Sequence, residues 1–305
     1  MTSSDLDLDF NAVTEKDIDE IQEYLNLCCY EESNHNIINM MLWLEWYPLF
    51  KYKTENYCLL LGIHEQQMFL YMPLCHEIYF DEAIMKAKSI FDRYHVPFVL
   101  SCFTEKMMQH VLRLFPEYQA CPAPDSFDYV YLTEKLITFS GKKLQKKRNH
   151  LNAFYAEYGQ RYQYESLHVK NVQECLNFMD KWKIDVESDD FFLYERRGVK
   201  RILLDFEVLN YKGGCIRIDG EIKAFAIGSV LSERMCQINI EKADDLFRGL
   251  YQAIMKEVLE HEFKNYLYCN REDDLGRENL RQAKRAYAPE FMIEKFRLCH
   301  RGEEE

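Results

Sequence analysis

The sequence lacks any uninterrupted apolar run of the roughly 18 residues that a membrane-spanning helix needs. Its richest apolar stretches, 58–62 and 224–230, have only the length of a strand. The start, MTSSDLDLDF, carries aspartates where a secretory signal peptide carries positive charge. We therefore expect a cytoplasmic protein with neither a signal peptide nor a transmembrane segment.

Several common catalytic motifs are also missing. The sequence contains no HExxH, no GxxxxGK[ST], no GxSxG and no GxGxxG after a predicted strand. The usual signatures of metalloproteases, P-loop nucleotide hydrolases, esterases and dinucleotide-binding enzymes are thereby excluded. We expect no metal site.

The cysteines show no arrangement typical of a metal site or of a disulfide framework. There are eleven of them, without a CxxC motif or a Cys/His pair. Because eleven is odd, they cannot all pair within the chain. We expect reduced thiols, most of them in the core.

Basic residues are scarce in one half of the chain only. The whole sequence holds 38 Lys and Arg against 51 Asp and Glu, a net charge of −13. Residues 1–139 contain 22 acidic and 9 basic residues, whereas 140–305 contain 29 of each. The acidic balance therefore argues against a polyanionic partner for the first half and leaves the second half open to one.

Hydrophobic periodicity and turn signals predict a mixture of helices and strands throughout the chain. The predicted elements of the first half are helices at 15–28 and 37–44, strands at 57–63 and 68–72, a helix at 81–94, a strand at 97–100, a helix at 104–115 and a strand at 128–132. Those of the second half are a helix at 141–158, a strand at 162–169, helices at 172–184 and 189–209, strands at 214–218, 222–231 and 235–240, a helix at 248–263, a strand at 266–269, a short helix and a strand at 291–298.

A length of 305 residues favours two domains, and the order of the elements agrees with that. The order hairpin, helix, strand occurs at 57–101 and again at 214–269. We therefore predict an α/β protein with mixed sheets, made of two copies of one unit. The predicted domains are 1–135 and 136–305.

The basic segment at 141–150 contains the first candidate functional residues. On a helix, Lys147 and Arg148 lie beside the apolar stripe of Leu144 and Leu151, so they face inward or border a cleft. A charge near the core needs a buried carboxylate or an anionic ligand such as phosphate. The other lysines of the segment are expected to be solvated.

A second candidate is the junction at Arg248-Gly249, between a predicted strand and a long helix. The N-terminus of a helix presents free N–H groups and the positive end of its dipole, which suits an anion. The alternative is that Gly249 only allows close packing of the first helical turn.

A third candidate is the polar run that follows the strand at 266–269. Asn270, Arg271 and Asp273 lie at the carboxyl end of that strand, where ligands commonly bind in open α/β sheets. Asp273 or Asp274 is equally suited to cap the next helix.

The helix that comes next places several cations on one face. They are Arg277, Arg281 and either Lys284 or Arg285. Such a stripe can follow a phosphate backbone, although it is more often an ordinary solvated face.

Six segments together resemble one protein family. They are Gly141-Lys-Lys, Lys146-Lys-Arg-Asn-His150, Glu241-Lys242, Arg248-Gly249-x-Tyr251-Gln252, Asn270-Arg271-Glu-Asp273 and Lys284-x-x-Tyr287-x-Pro289. In combination they resemble the shared C-terminal catalytic domain of phosphatidylglycerol lysyltransferase, in a short form without the membrane flippase part. The layout extends the resemblance over nearly the whole chain.

The resemblance implies two tandem GNAT (acyl-CoA N-acyltransferase-like) domains, with the active site in the second. It also implies a relationship to Fem-type transferases, which use aminoacyl-tRNA as donor. The implied activity is an aminoacyltransferase that moves an aminoacyl group, such as lysyl, from tRNA to a lipid, peptide or amine acceptor. No further cofactor is implied.

The resemblance, together with charge and spacing, assigns roles to ten residues. As catalytic residues it indicates Arg248, Asp273 and Glu241. As substrate-binding residues it indicates Lys147, Arg148, Lys242, Asn270, Arg271, Arg281 and Lys284. We expect Arg248, Lys147 and Arg148 to contact phosphate or an oxyanion, and Asp273 or Glu241 to hold the amino group of the donor.

Two other functions stay open at this stage. GNAT enzymes bind acetyl-CoA with a loop of the form [Q/R]-x-x-G-x-[G/A], and here Tyr251 stands where the central glycine belongs. A tyrosine there crowds the approach of the pyrophosphate to the backbone, which disfavours an acetyl-CoA-dependent N-acetyltransferase. The other alternative is a catalytically degenerate GNAT pair that acts as a binding protein.

Overall fold

A computed structural model describes residues 10–182, 190–209 and 211–301. Contacts divide the chain into two compact units, Met1–Phe127 with Ile293–Glu305, and Asp128–Met292. The sequence indicated a boundary at 135/136 and a second domain that continued to residue 305. By contacts, the division instead comes before the strand at 128–132, and the last strand of the chain belongs to the first unit.

Fifteen strands and eleven α-helices occur in the described residues. The strands are β1 (Asn11–Ala12), β2 (Leu49–Lys53), β3 (Tyr57–His64), β4 (Gln67–Leu70), β5 (Leu74–Cys75), β6 (Phe103–Thr104), β7 (Tyr118–Pro122), β8 (Asp128–Leu132), β9 (Tyr162–Ser166), β10 (Lys212–Ile218), β11 (Glu221–Ser232), β12 (Met235–Ala243), β13 (Tyr268–Asn270), β14 (Phe291–Ile293) and β15 (Lys295–His300). The helices are α1 (Ile18–Leu25), α2 (Ile37–Trp43), α3 (Phe80–Arg93), α4 (Glu105–Leu114), α5 (Thr133–Thr138), α6 (Gln145–Tyr158), α7 (Val169–Lys181), α8 (Asp190–Leu204), α9 (Phe206–Leu209), α10 (Leu250–Val258) and α11 (Glu278–Arg285).

Most predicted elements are confirmed. Several elements, among them β2, β7 and α5, were not predicted, and the other errors concern strand pairing. The segment at 97–100 forms only an isolated bridge, between Leu70 and Leu100. The strand at 128–132 forms, but in the sheet of the second unit, next to β13. The predicted final strand is two strands, β14 and β15, in different sheets. Apolar composition reveals a strand but does not reveal its partner, because the partner is distant in sequence. The predicted helix ends at 183–184 and 189 lie outside the described residues.

The first unit contains a sheet with the order β1-β2-β3-β4, to which β5 adds by pairing with β3, and a smaller sheet with the order β6-β15-β7. Helix α3 packs its apolar side, including Phe80 and Phe91, into a core shared with β3 and β4. In the smaller sheet the last strand of the chain lies between two earlier ones. The C-terminal segment is therefore an integral part of the first unit.

One buried polar network holds the last strand to the segment before α2. The Nζ atom of Lys295 donates to Asn34 Oδ1 at 2.6 Å and to Ser33 Oγ at 3.2 Å. Glu32 bonds His35 in the same segment, and both Glu32 and Lys295 are 0% exposed. Burial by itself would raise the pKa of Glu32, but the charges of His35 and Lys295 bring it below its ordinary value.

One expectation about the cysteines is wrong. Cys121 of β7 and Cys299 of β15 form a disulfide, with their Cα atoms 6.1 Å apart. These strands are neighbours in the small sheet, although 178 residues separate the two cysteines. The other nine cysteines form no disulfide in the part of the chain that the structure describes. The pairing depends on where β15 inserts, which spacing along the sequence does not reveal.

The second unit contains a seven-stranded sheet with the order β14-β8-β13-β12-β11-β10-β9. Strands β9 to β12 form an antiparallel run, whereas β13 is parallel to β12 and reaches it through α10. Helices α6 and α10 share the core on one face of the sheet, with Leu151, Phe154 and Ala253 among the buried residues. On the other face Phe178 of α7 contacts Phe225 of β11.

A bulge in β12 determines which face its later residues occupy. Within its ladder with β11, β12 contains one extra residue, Asn239, and such a bulge reverses the side on which the following side chains lie. Ile238 before the bulge and Ala243 after it both belong to the core under α6 and α10. Glu241, two residues before Ala243, shares that face, and Lys242 points to the opposite one.

No helix in the described ranges is long and apolar enough to cross a membrane.

We expect Lys295→Met to lower the free energy of unfolding by about 3 kcal/mol, because Ser33 and Asn34 lose their buried donor and the buried Glu32 keeps only His35 of its two cationic neighbours. Chemical denaturation at neutral pH measures the change. Lys16→Met, at an exposed lysine of the same unit, is the matched control and should change stability little. Equal stability of the two variants would contradict the importance of the network.

Candidate functional site

The site lies where β12 and β13 separate. The two strands pair only from Met235–Gln237 to Tyr268–Asn270, and β12 continues alone on this side as far as Ala243. Both strands run in the same direction, so the gap opens at their carboxyl ends, the usual place for a ligand in such a sheet. Arg271 directly follows β13 and reaches back across the gap.

Arg271 is the central cation of the site. Its Nη2 atom donates to Glu241 Oε2 at 2.8 Å, and its guanidinium lies 4.8 Å from the ring centre of Tyr287 and 6.0 Å from that of Tyr131. Burial by itself would lower the pKa of Arg271, but Glu241 more than offsets this, so the group stays charged. Within the described residues its other terminal nitrogen, Nη1, is buried and has no hydrogen-bond partner.

Tyr287 connects Arg271 to two more polar side chains. Its hydroxyl accepts a hydrogen bond of 2.9 Å from Gln252 Nε2 in α10. Lys147 of α6 lies with its Nζ atom 4.2 Å from the centre of the same ring. Burial and the charges of Arg271 and Lys146 lower the pKa of Lys147. We call Glu241, Arg271, Tyr287, Gln252 and Lys147 together the Arg271 site.

The start of α10 packs directly on α6. Gly249 has a φ of +84°, and a Cβ atom there would lie 2.2 Å from the carbonyl oxygen of His150. The close-packing role considered for this glycine is therefore confirmed. Arg248 is exposed beside it. Burial, followed by the charges of Arg248 and Lys147, lowers the pKa of His150, so these cations share one region of the surface.

Arg148 uses its guanidinium inside the protein. Its Nη1 atom donates to the carbonyl oxygen of Phe139 and, at 3.3 Å, to that of Gly141. These carbonyls follow the end of α5, where free acceptors need donors. Arg148 thus joins the end of α5 to α6.

Lys242 lies on the other face of the sheet, as the bulge requires. Its Nζ atom donates to Glu195 Oε1 of α8 at 2.7 Å and lies 4.4 Å from the ring centre of Trp182. It is therefore separated by the sheet from its sequence neighbour Glu241.

Asn270 and Lys284 shape the loop that carries Arg271. Asn270 Nδ2 donates to Asp128 Oδ2 at 3.0 Å. Lys284 Nζ donates to the carbonyl oxygens of Arg271, at 2.6 Å, and of Asp273. Burial lowers the pKa of Lys284. The carboxylate of Asp273 accepts from the backbone N–H of Leu275 at 3.2 Å.

Arg281 belongs to a buried ion pair. Its Nε and Nη2 atoms donate to the two oxygens of Asp274, at 2.8 and 3.0 Å. The hydroxyl of Tyr129 also donates to Asp274, at 2.6 Å. Burial would raise the pKa of Asp274, but Arg281 and Tyr129 bring it below its ordinary value. Neither Asp273 nor Asp274 caps α11 as expected, because the residue at the N-cap position is Arg277.

The ten residues indicated by the sequence thus divide into groups. Glu241, Arg271 and Lys147 meet in the Arg271 site, with Arg248 close by. The other six bind groups of the protein itself: Arg148, Lys242, Asn270, Asp273, Arg281 and Lys284. Their roles toward a substrate stay predictions. Tyr287 and Gln252 were not indicated as site residues, although both stand in the segments that carry the family resemblance.

A family model described as "Phosphatidylglycerol lysyltransferase, C-terminal" matches residues 28–299. The chain belongs to this family. The match includes all residues of the Arg271 site, so the suspected relationship is confirmed. The phosphatidylglycerol lysyltransferase C-terminal family is here represented by a chain with two mixed α/β units.

One curated relative is an uncharacterised protein of Mycoplasmoides gallisepticum. It is 30% identical over 174 residues, which are 56% of this chain and 55% of that protein. The chain therefore spans about half the length of the curated relative that it matches.

Similarity to solved structures identifies the fold of this chain. A conserved protein of unknown function from Bacteroides thetaiotaomicron has a TM-score of 0.87 at 28% identity, covering 96% of this chain and 99% of that one. L-PGS from Bacillus licheniformis has a TM-score of 0.66 at 14% identity, covering 94% and 92%. FemX, at 9% identity, has a TM-score of 0.60 and covers 95% and 97%. A tandem GNAT protein from clavulanic acid biosynthesis, at 8%, has a TM-score of 0.50 and covers 97% and 99%. The predicted tandem GNAT fold of the family is thereby confirmed.

We expect Gly249→Ala to destabilise the protein more than Gly220→Ala does. Both glycines have a positive φ, which costs an alanine about 1–2 kcal/mol, but a Cβ atom at Gly220 meets nothing within 4 Å. The added loss at Gly249 measures the close contact with His150. Thermal unfolding of both variants tests this, and equal losses would contradict the contact between α6 and α10.

We expect Arg281→Gln to lower stability by about 2 kcal/mol at neutral pH, because Asp274 loses a bidentate cation. The folded-state pKa of Asp274 is lowered, so its contribution is present above its ordinary pKa of 3.8 and is lost as pH falls below that value. The difference between wild type and variant should therefore shrink on acidification. Unfolding curves at several pH values test this. A difference independent of pH would contradict it.

Proposed function

We propose that this chain is an aminoacyltransferase that takes an aminoacyl group from aminoacyl-tRNA and passes it to a hydroxyl or amine of a lipid, peptide or small acceptor. Family membership supports the reaction class. The observation that supports the proposal is the Nη1 atom of Arg271, which is buried where β12 and β13 separate and has no acceptor among the residues that the structure describes.

The chemistry requires such a group. The acceptor oxygen or nitrogen attacks the ester carbonyl, and negative charge develops on the carbonyl oxygen before the bond to the ribose 3′ or 2′ oxygen breaks. The proton that the acceptor loses goes to this ribose oxygen, which leaves as a hydroxyl. A fixed cation in a dry site stabilises that charge more than water does. Arg271 is held in place by Glu241 and by the ring of Tyr287 before any substrate binds, so little reorganisation is needed.

Glu241 is suited to a second task. A donor aminoacyl group carries a free α-amino group, and Glu241 is the carboxylate that faces the gap beside Arg271. Its side chain is 12% exposed, and Oε2 is the oxygen that accepts from Arg271. We therefore assign the donor amino group to Glu241, and the tyrosine and glutamine of the Arg271 site to alignment of the ester.

We expect Glu241→Gln to reduce the transfer rate about 100-fold or more, because it weakens both the hold on Arg271 and the binding of the amino group. The matched control is Glu195→Gln, which removes the ion-pair partner of the neighbouring Lys242 on the opposite face of the sheet. This control should retain activity.

The assay incubates wild type and both variants with a pool of radiolabelled aminoacyl-tRNA and with phosphatidylglycerol, a peptide or a polyamine as acceptor. Transfer by wild type and by Glu195→Gln, but not by Glu241→Gln, supports the proposal. Labelling from acetyl-CoA with no transfer from aminoacyl-tRNA would contradict it. Equal loss in both variants would contradict the assignment of Glu241.

A further inference from the structure

Five cations of the second unit lie on α6, in the turn that precedes it and directly before α10. They form what we call the α6–α10 patch: Lys142, Lys143, Lys146, Lys147 and Arg248. None of them forms an ion pair within the described residues. Lys142, Lys143, Lys146 and Arg248 are exposed.

Elsewhere in the same unit, cations are commonly paired. Examples are Arg161 with Asp219, Arg217 with Glu165 and Glu174, Lys223 with Glu221, Lys256 with Glu260 and Arg281 with Asp274. Five unpaired cations in one region therefore form a surface whose charge is left for something outside the chain.

Packing brings Arg248 together with Lys146 and Lys147, while Lys142 and Lys143 precede Lys146 by four and three residues in the sequence. Gly249 lies against the backbone of His150, which places the turn with Arg248 beside α6. The pKa of His150 is lowered by burial and then by Arg248, Lys147 and Lys146, as expected if all three surround it. The patch thus has one centre, at the start of α10.

The patch continues into the Arg271 site through one residue. Lys147 belongs to both, because it follows Lys146 on α6 and its Nζ atom lies over the ring of Tyr287. A ligand that covers the patch therefore ends next to the group that we propose to stabilise the ester oxyanion. An ester attached to the end of a phosphodiester strand would fit this arrangement, with its phosphates on the patch and its carbonyl beside Arg271.

We propose that the α6–α10 patch binds the phosphodiester backbone at the 3′ end of the donor RNA. This inference rests on the proposed function and adds the surface that the donor uses. Adjacent unpaired lysines suit successive phosphates of a single strand, and the sequence-independent contact lets one surface accept any aminoacylated 3′ end.

An anionic membrane fits the same surface less well. The exposed apolar side chain nearest to Arg248 in sequence is Leu246, and its turn also carries Asp244 and Asp245. Those carboxylates would face the lipid phosphates if Leu246 entered a bilayer. A flexible RNA strand can follow the lysines of α6 and avoid that turn.

The test replaces three exposed lysines together, as Lys142→Gln, Lys143→Gln and Lys146→Gln. The matched control replaces three exposed lysines elsewhere in the unit, Lys170, Lys212 and Lys264, also by glutamine. Both triple variants change the net charge equally. Melting temperatures close to wild type establish that both are folded.

Binding of deacylated tRNA is measured by fluorescence anisotropy over a range of salt concentrations. We expect the patch variant to weaken binding about tenfold or more, to reduce the slope of log K against log salt by about 2, and to raise the KM for aminoacyl-tRNA more than it lowers kcat. The control variant should resemble wild type in all three.

Identical tRNA affinity and salt slope for the patch and control variants would overturn the inference. Patch-dependent binding to vesicles of phosphatidylglycerol and phosphatidylcholine, with tRNA binding unchanged, would overturn it in favour of a membrane surface. Patch-dependent tRNA binding by a wild-type protein that transfers nothing would overturn the proposed function and leave this surface assignment standing.

Discussion

The candidate site depends on one ion pair, between Arg271 and Glu241, across the gap where β12 and β13 part. Neither residue would be useful alone. An unpaired guanidinium in this place would be costly to bury, and an unpaired carboxylate would lose its charge or draw in water. Paired, they hold each other in place where β12 and β13 part, and Nη1 of Arg271 does not take part in the pair.

The rest of the second unit serves to keep that pair in place. The bulge at Asn239 turns Glu241 toward the face of α6 and α10, where Arg271 lies. The lysine of α11, Lys284, binds the backbone carbonyls around Arg271, and Asn270 ties the start of the loop to β8. In these contacts, strongly polar side chains bind other groups of the protein. A loop that carries a buried cation needs such rigid support, because a small displacement would separate the guanidinium from its partner.

The distribution of charge along the chain is more informative than its net charge. The net charge of −13 suggests a protein that repels nucleic acid, yet the acidic excess lies in the first 139 residues. In the second unit, carboxylates neutralise many of the cations and leave those of the α6–α10 patch unpaired. Local pairing, and not the overall balance, determines which anion such a surface can hold.

Sequence patterns alone were sufficient to predict the order of most helices and strands and to identify the family. They also singled out Glu241, Arg271 and Lys147 as candidate site residues. These features depend on local periodicity, turn chemistry and motif spacing, which a single sequence displays directly. Tertiary structure decided which of the indicated residues meet. Arg281, Lys242 and Lys147 are all cations that the sequence assigned to substrate binding. In the structure, Arg281 and Lys242 each form an ion pair with a carboxylate of another segment. Tertiary structure also decided that 128–132 belongs to the second unit, that 295–300 belongs to the first, and that Cys121 forms a disulfide with Cys299. Pairing across long stretches of chain depends on where distant elements pack, and residue patterns carry little record of it.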